Sequence, residues 1–360
     1  MRMQIEGDVL VYVGTYTQTS SEGIYVYHLD TTSGALSYVA TSPPLDSPSF
    51  LVIDSNQRYL YAVNEVGEFG GEPTGAVSAL EIDASTGGLT LLNQQSSGGG
   101  HPCHLDIDAG NGCIVVANYG GGTVSMLRIR DDGSLGPPDT IIHEGSSILP
   151  RQETPHAHSI TVAPGNTFAV AADLGMDKVL VYRINREDGL LEPHDEVAIQ
   201  AGAGPRHMAF HPNGRFVYLI NEIDNTMNTF AYDGKGGGLT ELQSVSTLPA
   251  DWQGASGTAE VRVHPSGKFL YGSNRGHDSI AIYTIDGETG RLQIVDFEPT
   301  QGEHPRNFNL DPSGTFLLAA NHNSDTIYSY WVDQTTGKLT PTGHGADAVG
   351  MPVCLKFTVR

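Results

Sequence analysis

The chain has 360 residues with 41 acidic against 19 basic side chains, a formal net charge of −22, and such a field disfavours nucleic acid and anionic membranes as partners. Its three cysteines, Cys103, Cys113 and Cys354, are an odd set without metal-type spacing and read as buried free thiols of a reducing cytoplasm. The first residues, MRMQIEGD, lack the apolar core of a secretory leader, and no apolar run of about eighteen residues is present to cross a membrane.

Three strand-like runs come first, VLVYVGTY (9–16), GIYVYHLD (23–30) and ALSYVA (35–40). SPSFLVID (47–54) then opens a signature that recurs as HPCHLDID (101–108), HAHSITVAP (156–164), GPRHMAFHP (204–212), GTAEVRVHP (257–265) and HPRNFNLDP (304–312). A truncated MPVCLKF (351–357) ends the series. Counted at Pro48, Pro102, His156, Pro205, Thr258, Pro305 and Pro352, the copies stand 54, 54, 49, 53, 47 and 47 residues apart. In one repeat GPRHMAFHP passes through the Asn-Gly turn of HPNGR into RFVYLINE, NTMNTFAYD and, after GKGGG, LTELQSV. Four strand-length runs per repeat, a period near 50 and no sustained helical period predict an all-β fold, a seven-bladed β-propeller with four antiparallel strands per blade. The 44 Gly and 20 Pro are spread through the turns and no segment reads as a linker, so one domain over 1–360 is expected. The leading runs lack an inner strand and MPVCLKF lacks strands after it. They are predicted to share a blade, three strands from the front and one from the back, which closes the ring without an open edge.

In such a blade the start of the first strand and the end of the second meet at one rim beside the axis. The first-strand starts bring His104, His158, Arg206 with His207, Glu260, and Arg306 with Asn307. The second-strand ends bring Asn64-Glu65, Asn118-Tyr119, Asp173, Asn221-Glu222, Asn274-Arg275 and Asn321-His322. An acidic chain that sets Arg206, Arg275 and Arg306 at corresponding rim positions, with histidines and carboxylates between, is expected to bind a small anionic substrate there. The Asn residues read as loop-start hydrogen-bonders. Aligned by the repeat, Ser49, Cys103, Ala157, Arg206, Ala259, Arg306 and Val353 share one position. Competing motifs are absent. His156 and His158 could share a strand face but have no third ligand for a metal. The glycine runs 98–100 and 120–122 lack a following Lys-Ser/Thr, and Ser159 has neither a nucleophile elbow nor a placed base.

YVGTYT (12–17) with GIYVYHLD, GPRHMAFHPNGRFVYLINE (204–222), SNRG (273–276) and HPRNFNLDPSG (304–314) together resemble the seven-bladed propeller lactonases. That family includes 6-phosphogluconolactonase of the propeller type, with carboxymuconate cycloisomerases among its fungal relatives. The resemblance runs from about residue 9 to 357. It implies catalytic residues at His158, Arg206, Glu222 and Arg275. His104, His207, Glu260, Arg306 and Asn307, from the same rim sets, are expected to bind substrate. The implied reaction is hydrolysis of a sugar lactone, 6-phosphogluconolactone to 6-phosphogluconate foremost. Glu222 would be the base that activates water, with His158 the alternative base or the acid for the leaving alkoxide. Arg206 and Arg275 would hold a phosphate or carboxylate and stabilise the oxyanion. Adjacent arginines would keep Glu222 ionised and thereby weaken it as a base. The scheme calls for no metal and no cofactor. The alternatives are a cycloisomerase acting on a carboxymuconate-type substrate and a non-catalytic binding propeller. Only 5 of the 19 basic residues are Lys and none lies in the ring, so anion recognition rests on arginine. The sequence carries no signal of oligomeric state.

Overall fold

The computed structural model describes residues 7–360; the first six residues of the segment read for a leader lie outside the described residues. Twenty-eight strands form seven four-stranded antiparallel sheets, and the one helical piece among the described residues is a 3₁₀ turn at Pro150–Gln152. No helix among them is long and apolar enough to cross a membrane. The seven inner strands are Pro352–Val359 (blade 1), Leu51–Ile53 (blade 2), Pro102–Ile107 (blade 3), Ala157–Val162 (blade 4), Pro205–Phe210 (blade 5), Gly257–Val263 (blade 6) and Pro305–Leu310 (blade 7). Each touches the inner strands on either side, so the circuit closes. Blade 1 is completed as expected, with Pro352–Val359 pairing antiparallel to Val9–Thr15, Val9 opposite Val359 and Val13 opposite Leu355.

Burial explains the sequence pattern. The second strand of each blade packs neighbours on both faces and is a continuous apolar run, as in Cys113–Asn118 and Phe216–Asn221, where every residue is buried. The outermost strands are largely solvated; Leu89–Ser96 buries only Leu89. The apolar clusters join adjacent blades: Phe216, Tyr218 and Ile220 of blade 5 pack with Leu270, Ala281 and Tyr283 of blade 6. A tyrosine hydroxyl fastens several of these seams. Tyr61 donates to the Gly133 carbonyl at 3.0 Å, Tyr218 to Gly290 at 3.1 Å and Tyr271 to Gly337 at 2.9 Å. Gly290 has φ +72°, and a Cβ there would lie 2.5 Å from the Phe216 ring, so the turn must carry glycine.

Five of the seven inner strands share one irregularity that builds the site. Pairing to the second strand skips one residue between Pro102 and His104, Ala157 and Ser159, Pro205 and His207, Pro305 and Asn307, and Pro352 and Cys354. The skipped residues are Cys103, His158, Arg206, Arg306 and Val353. A bulge of this kind re-aims the side chain of the extra residue. In blade 4 this corrects the alignment read from the sequence. Ala157, not His156, pairs with Asp173 as Pro205 pairs with Asn221, so His158 and not Ala157 is the counterpart of Arg206. His104 accordingly stands level with His207, one residue beyond the bulge.

Candidate functional site

Two layers of side chains crowd the axis where the inner strands begin. The mouth layer combines the bulge residues with the residue that follows each second-strand Asn. Those Asn side chains turn away from the axis and serve the loops: Asn64 Nδ2 donates to Asp46 O at 2.8 Å, Asn274 to Thr247 O at 2.6 Å and Asn321 to Thr300 O at 3.0 Å.

At the centre of the mouth layer is Glu222, buried together with His158, Arg206 and Arg275. One carboxylate oxygen, Oε2, lies 2.8 Å from Arg206 Nε, 3.0 Å from Arg275 NH2 and 3.5 Å from His158 Nε2. The other, Oε1, lies 2.7 Å from Arg151 NH2. Burial on its own would raise the Glu222 pKa, but Arg275, Arg206, His158 and Arg151 outweigh it and hold the carboxyl well below the usual range. The structure thus brings together the four residues named as catalytic and adds Arg151, which the sequence reading did not single out. Its only signal there was an arginine in an unusually long connection between two blades. Arg151 also donates from Nε to the Tyr119 hydroxyl at 3.1 Å.

The arginines are held by backbone as well. Arg206 NH1 donates to Ala259 O at 2.6 Å, and Arg275 NH2 donates to Thr258 O at 2.6 Å. Burial lowers the Arg275 pKa to about 10, with Glu222 opposing the fall, so it remains a cation at neutral pH. His158 is pushed well below its ordinary value by burial and by Arg206, and is neutral. Its Nδ1 lies 3.6 Å from Cys103 Sγ.

Arg306 differs from the other three. It is half-buried beside them, with Cζ 5.5 Å from the centroid of the Tyr16 ring, and it makes neither a hydrogen bond nor an ion pair among the described residues. Tyr16 turns its hydroxyl to Glu65 Oε2 at 2.9 Å, and Ser49 Oγ donates to the same oxygen. Two further histidines border this mouth. His304, taken down to about 4 by burial and then by Arg275, His322 and Arg306, packs at 5.5 Å from the His322 ring. Three guanidiniums therefore share Glu222 and a fourth stands beside them, with the surrounding histidines His158 and His304 neutral, and the local excess of positive charge stands against the chain's overall −22.

The second layer, one residue deeper, holds His104, His207, Glu260 and Asn307, all buried. They do not reach Glu222. His207 Nδ1 lies 3.3 Å from Glu260 Oε1, and Asn307 Nδ2 donates to Glu260 Oε2. The His104 ring packs 4.2 Å from Phe50 and 5.1 Å from His207. His156 leaves the axis to stack on Tyr119 at 4.4 Å, its Nδ1 on the Tyr119 carbonyl. Among the described residues no group of three or more His, Cys, Asp or Glu side chains is placed to hold a metal.

Comparison with known proteins agrees with this architecture. The family described as lactonase, 7-bladed beta-propeller, matches residues 10–357. A 6-phosphogluconolactonase of Bacillus subtilis is 38% identical over 301 residues, 83% of this chain and 84% of that one. A putative 6-phosphogluconolactonase of Bacteroides fragilis superposes with a TM-score of 0.91 at 35% identity, covering 98% of both chains. The periplasmic gluconolactonase of Pseudomonas aeruginosa gives a TM-score of 0.91 at 34% identity over 98% of this chain and 99% of that one. The chain belongs to the seven-bladed β-propeller lactonase family.

Proposed function

We propose that the ring, acting as one domain over residues 1–360, is a lactonase that opens a sugar lactone bearing an anionic group, 6-phosphogluconolactone in the first instance. One observation carries this reading: Arg151, Arg206, Arg275 and Arg306 converge on one mouth of an otherwise acidic molecule, and Arg306 forms neither an ion pair nor a hydrogen bond among the described residues. A guanidinium whose N–H donors are unfilled, beside three that share Glu222, is a receptor for phosphate or carboxylate. The names of the relatives in Bacillus subtilis and Bacteroides fragilis supply the phosphorylated lactone.

In this reading Glu222 organises the site and does not act as the base. Its two oxygens already accept from four cationic or polar side chains. Taking up a proton would strip Arg206, Arg275 and Arg151 of the counter-charge they share. The carboxylate fixes Arg206 and Arg275 where negative charge develops on the lactone carbonyl oxygen, and fixed donors of this kind contribute about 10²–10³ in rate. His158, neutral and beside Glu222, completes the donor set. The reaction adds water across the ring ester, giving a hydroxyl and a carboxylic acid, which ionises at neutral pH by releasing its proton.

The buried free thiols suit a reducing compartment, and we place the activity in the cytoplasm; the periplasmic relative makes cell fractionation the check on that placement. The test of function is hydrolysis of 6-phosphoglucono-δ-lactone and of unphosphorylated glucono-δ-lactone against their spontaneous rates, with Arg275→Ala as control. Acceleration of the phosphorylated lactone that Arg275→Ala loses supports the proposal. No acceleration of either lactone by the wild-type protein refutes it.

A further inference from the structure

The second layer contains a histidine whose surroundings equip it for proton transfer. His207 is 4% exposed. Its Nδ1 faces Glu260 Oε1, which also accepts the Val261 N–H at 3.0 Å. A carboxylate there can only accept, so the ring carries its proton on Nδ1. Glu260 is secured from two sides, by Asn307 Nδ2 and by Arg262 NH2 at 3.4 Å. Asn307 in turn accepts the Leu355 N–H through Oδ1 at 2.9 Å. Blades 5, 6, 7 and 1 thus form a chain of partners that ends on the imidazole.

The other ring nitrogen, Nε2, is buried and has no hydrogen-bond partner among the described residues. On the adjacent inner strand Ser159 holds the corresponding position, paired to Ala172 as His207 is to Ile220. Its Oγ is likewise buried without a partner. Two unpartnered polar atoms at the same depth on neighbouring strands meet the minimum that a buried water requires. The His158 ring, whose other edge faces Glu222, packs against His207 at 5.4 Å, which sets the His207 ring one side chain away from the hub of the mouth.

We propose that His207 is the general base of the reaction, with Glu260 and Asn307 as its positioning residues and Ser159 as the second holder of the attacking water. This rests on the lactonase reading above. The water oxygen bonds to the lactone carbonyl carbon while its proton passes to His207 Nε2. The imidazolium that forms is stabilised by Glu260. When the ring C–O bond breaks, the same proton is delivered to the leaving oxygen, and one lactone and one water become one hydroxy acid. One group serving as base and then acid is sufficient for such a sequence.

The charges around His207 also couple the step to binding. Burial, then Arg206, Arg262 and Arg306, press its pKa well below the ordinary value, with Glu222 opposing; Glu260, His104 and His158 are its other titratable neighbours. A bound phosphate or carboxylate at the mouth offsets Arg206 and Arg306, so basicity rises when substrate is present.

The test uses the full chain and 6-phosphoglucono-δ-lactone. His207→Asn should lower kcat by about 10²–10⁴ with KM within about threefold, and should bind inorganic phosphate as the wild type does, which certifies a folded mouth. Glu260→Gln should lower kcat less and displace the acidic limb of the kcat–pH profile, and Glu260→Asp should recover part of the loss. His207→Asn with kcat within threefold of wild type refutes the assignment. Should that variant fail to fold, the ¹⁵N-histidine spectrum of wild-type protein decides: the Nδ1–H tautomer at His207 supports it and the Nε2–H tautomer overturns it. Wild-type protein that opens no lactone would instead refute the lactonase reading itself.

Discussion

Replacing Glu222 with Gln removes the counter-charge that Arg206 and Arg275 share while preserving shape. Both guanidiniums are buried and lie 2.8 and 3.0 Å from Oε2. Deleting one partner of a buried ion pair leaves the other uncompensated and costs about 3–5 kcal/mol. Arg151, half-exposed, adds little to that figure because solvent screens it. At a urea slope of about 3 kcal/mol per M the midpoint at pH 7 should fall by about 1–1.7 M. The sign of the pH dependence follows from the depressed carboxyl. Its folded value lies below the unfolded 4.5, so its contribution is complete above that pH and is lost as pH falls toward the folded value. The stability gap between wild type and Glu222→Gln should be flat from pH 7 to about 5. Below pH 4.5 it should narrow by about 1.4 kcal/mol per unit. Lactone turnover should fall, whereas inorganic phosphate should bind more tightly, since the arginines lose their internal competitor. Equal midpoints at pH 7, or a gap that stays constant from pH 6 to 3.5, would refute the account of Glu222 as the ionised hub of the mouth.

Arg306→Met removes a cation that has no ion pair among the described residues but lies over the Tyr16 ring in the field of Glu65 and Glu222, so its denaturation midpoint should fall less than that of Glu222→Gln. KM for the phosphorylated lactone should rise about tenfold or more, the worth of one charged hydrogen bond, and an unchanged KM would count against anion binding at Arg306. Tyr218→Phe deletes the hydroxyl that joins blade 5 to the Gly290 carbonyl of blade 6; it should cost about 1–3 kcal/mol in urea and leave turnover intact. Burial pushes the Cys113 thiol up to about 12 and raises Cys103 and Cys354 as well. At pH 8 a thiol-specific disulfide reagent should therefore label none of the three in native protein and all of them in urea, and rapid native labelling would contradict the burial.

The architecture was legible because a repeat samples the same physics seven times. The alternation of short apolar runs with Gly, Asn and Asp turns recurs at a spacing that only blades explain, and the orphan strands at the two ends of the series admit one closure. The arginines were legible for a different reason: in a chain of such negative charge, three arginines at corresponding strand ends are not accounted for by solubility. What the sequence could not supply was the division into layers. Arg206 and His207 are neighbours in the chain, yet the bulge turns one to Glu222 and the other to Glu260. A bulge is an extra residue in an alternating pattern, and alternation alone does not say where it falls.

Blade 4 shows why that mattered. The sequence offered both His156 and His158 near the repeat position. Period counting fell on His156, setting Ala157 level with Arg206, while the family resemblance implied His158. The pairing of Ala157 with Asp173 decides for His158. Asp173 stands where five other blades carry Asn, and its carboxylate accepts the His156 and Gly175 N–H groups and bonds His143 Nδ1 at 2.6 Å. The residue after it is Leu174, where blades 5 and 6 have Glu222 and Arg275. An apolar residue at that point supplies no charge to the mouth. The long connection ahead of the blade does so instead: Gln152 donates to Leu174 O at 2.8 Å, pinning the 3₁₀ turn over the strand end, and the preceding residue, Arg151, reaches Glu222. Blade 4 has no charge at this strand end and a loop supplies one from outside the repeat, where an alignment of repeats has no column for it. Arg151→Ala should accordingly raise KM several-fold while changing stability by less than about 1 kcal/mol, and a fall in kcat at constant KM would instead make it part of the transition-state machinery.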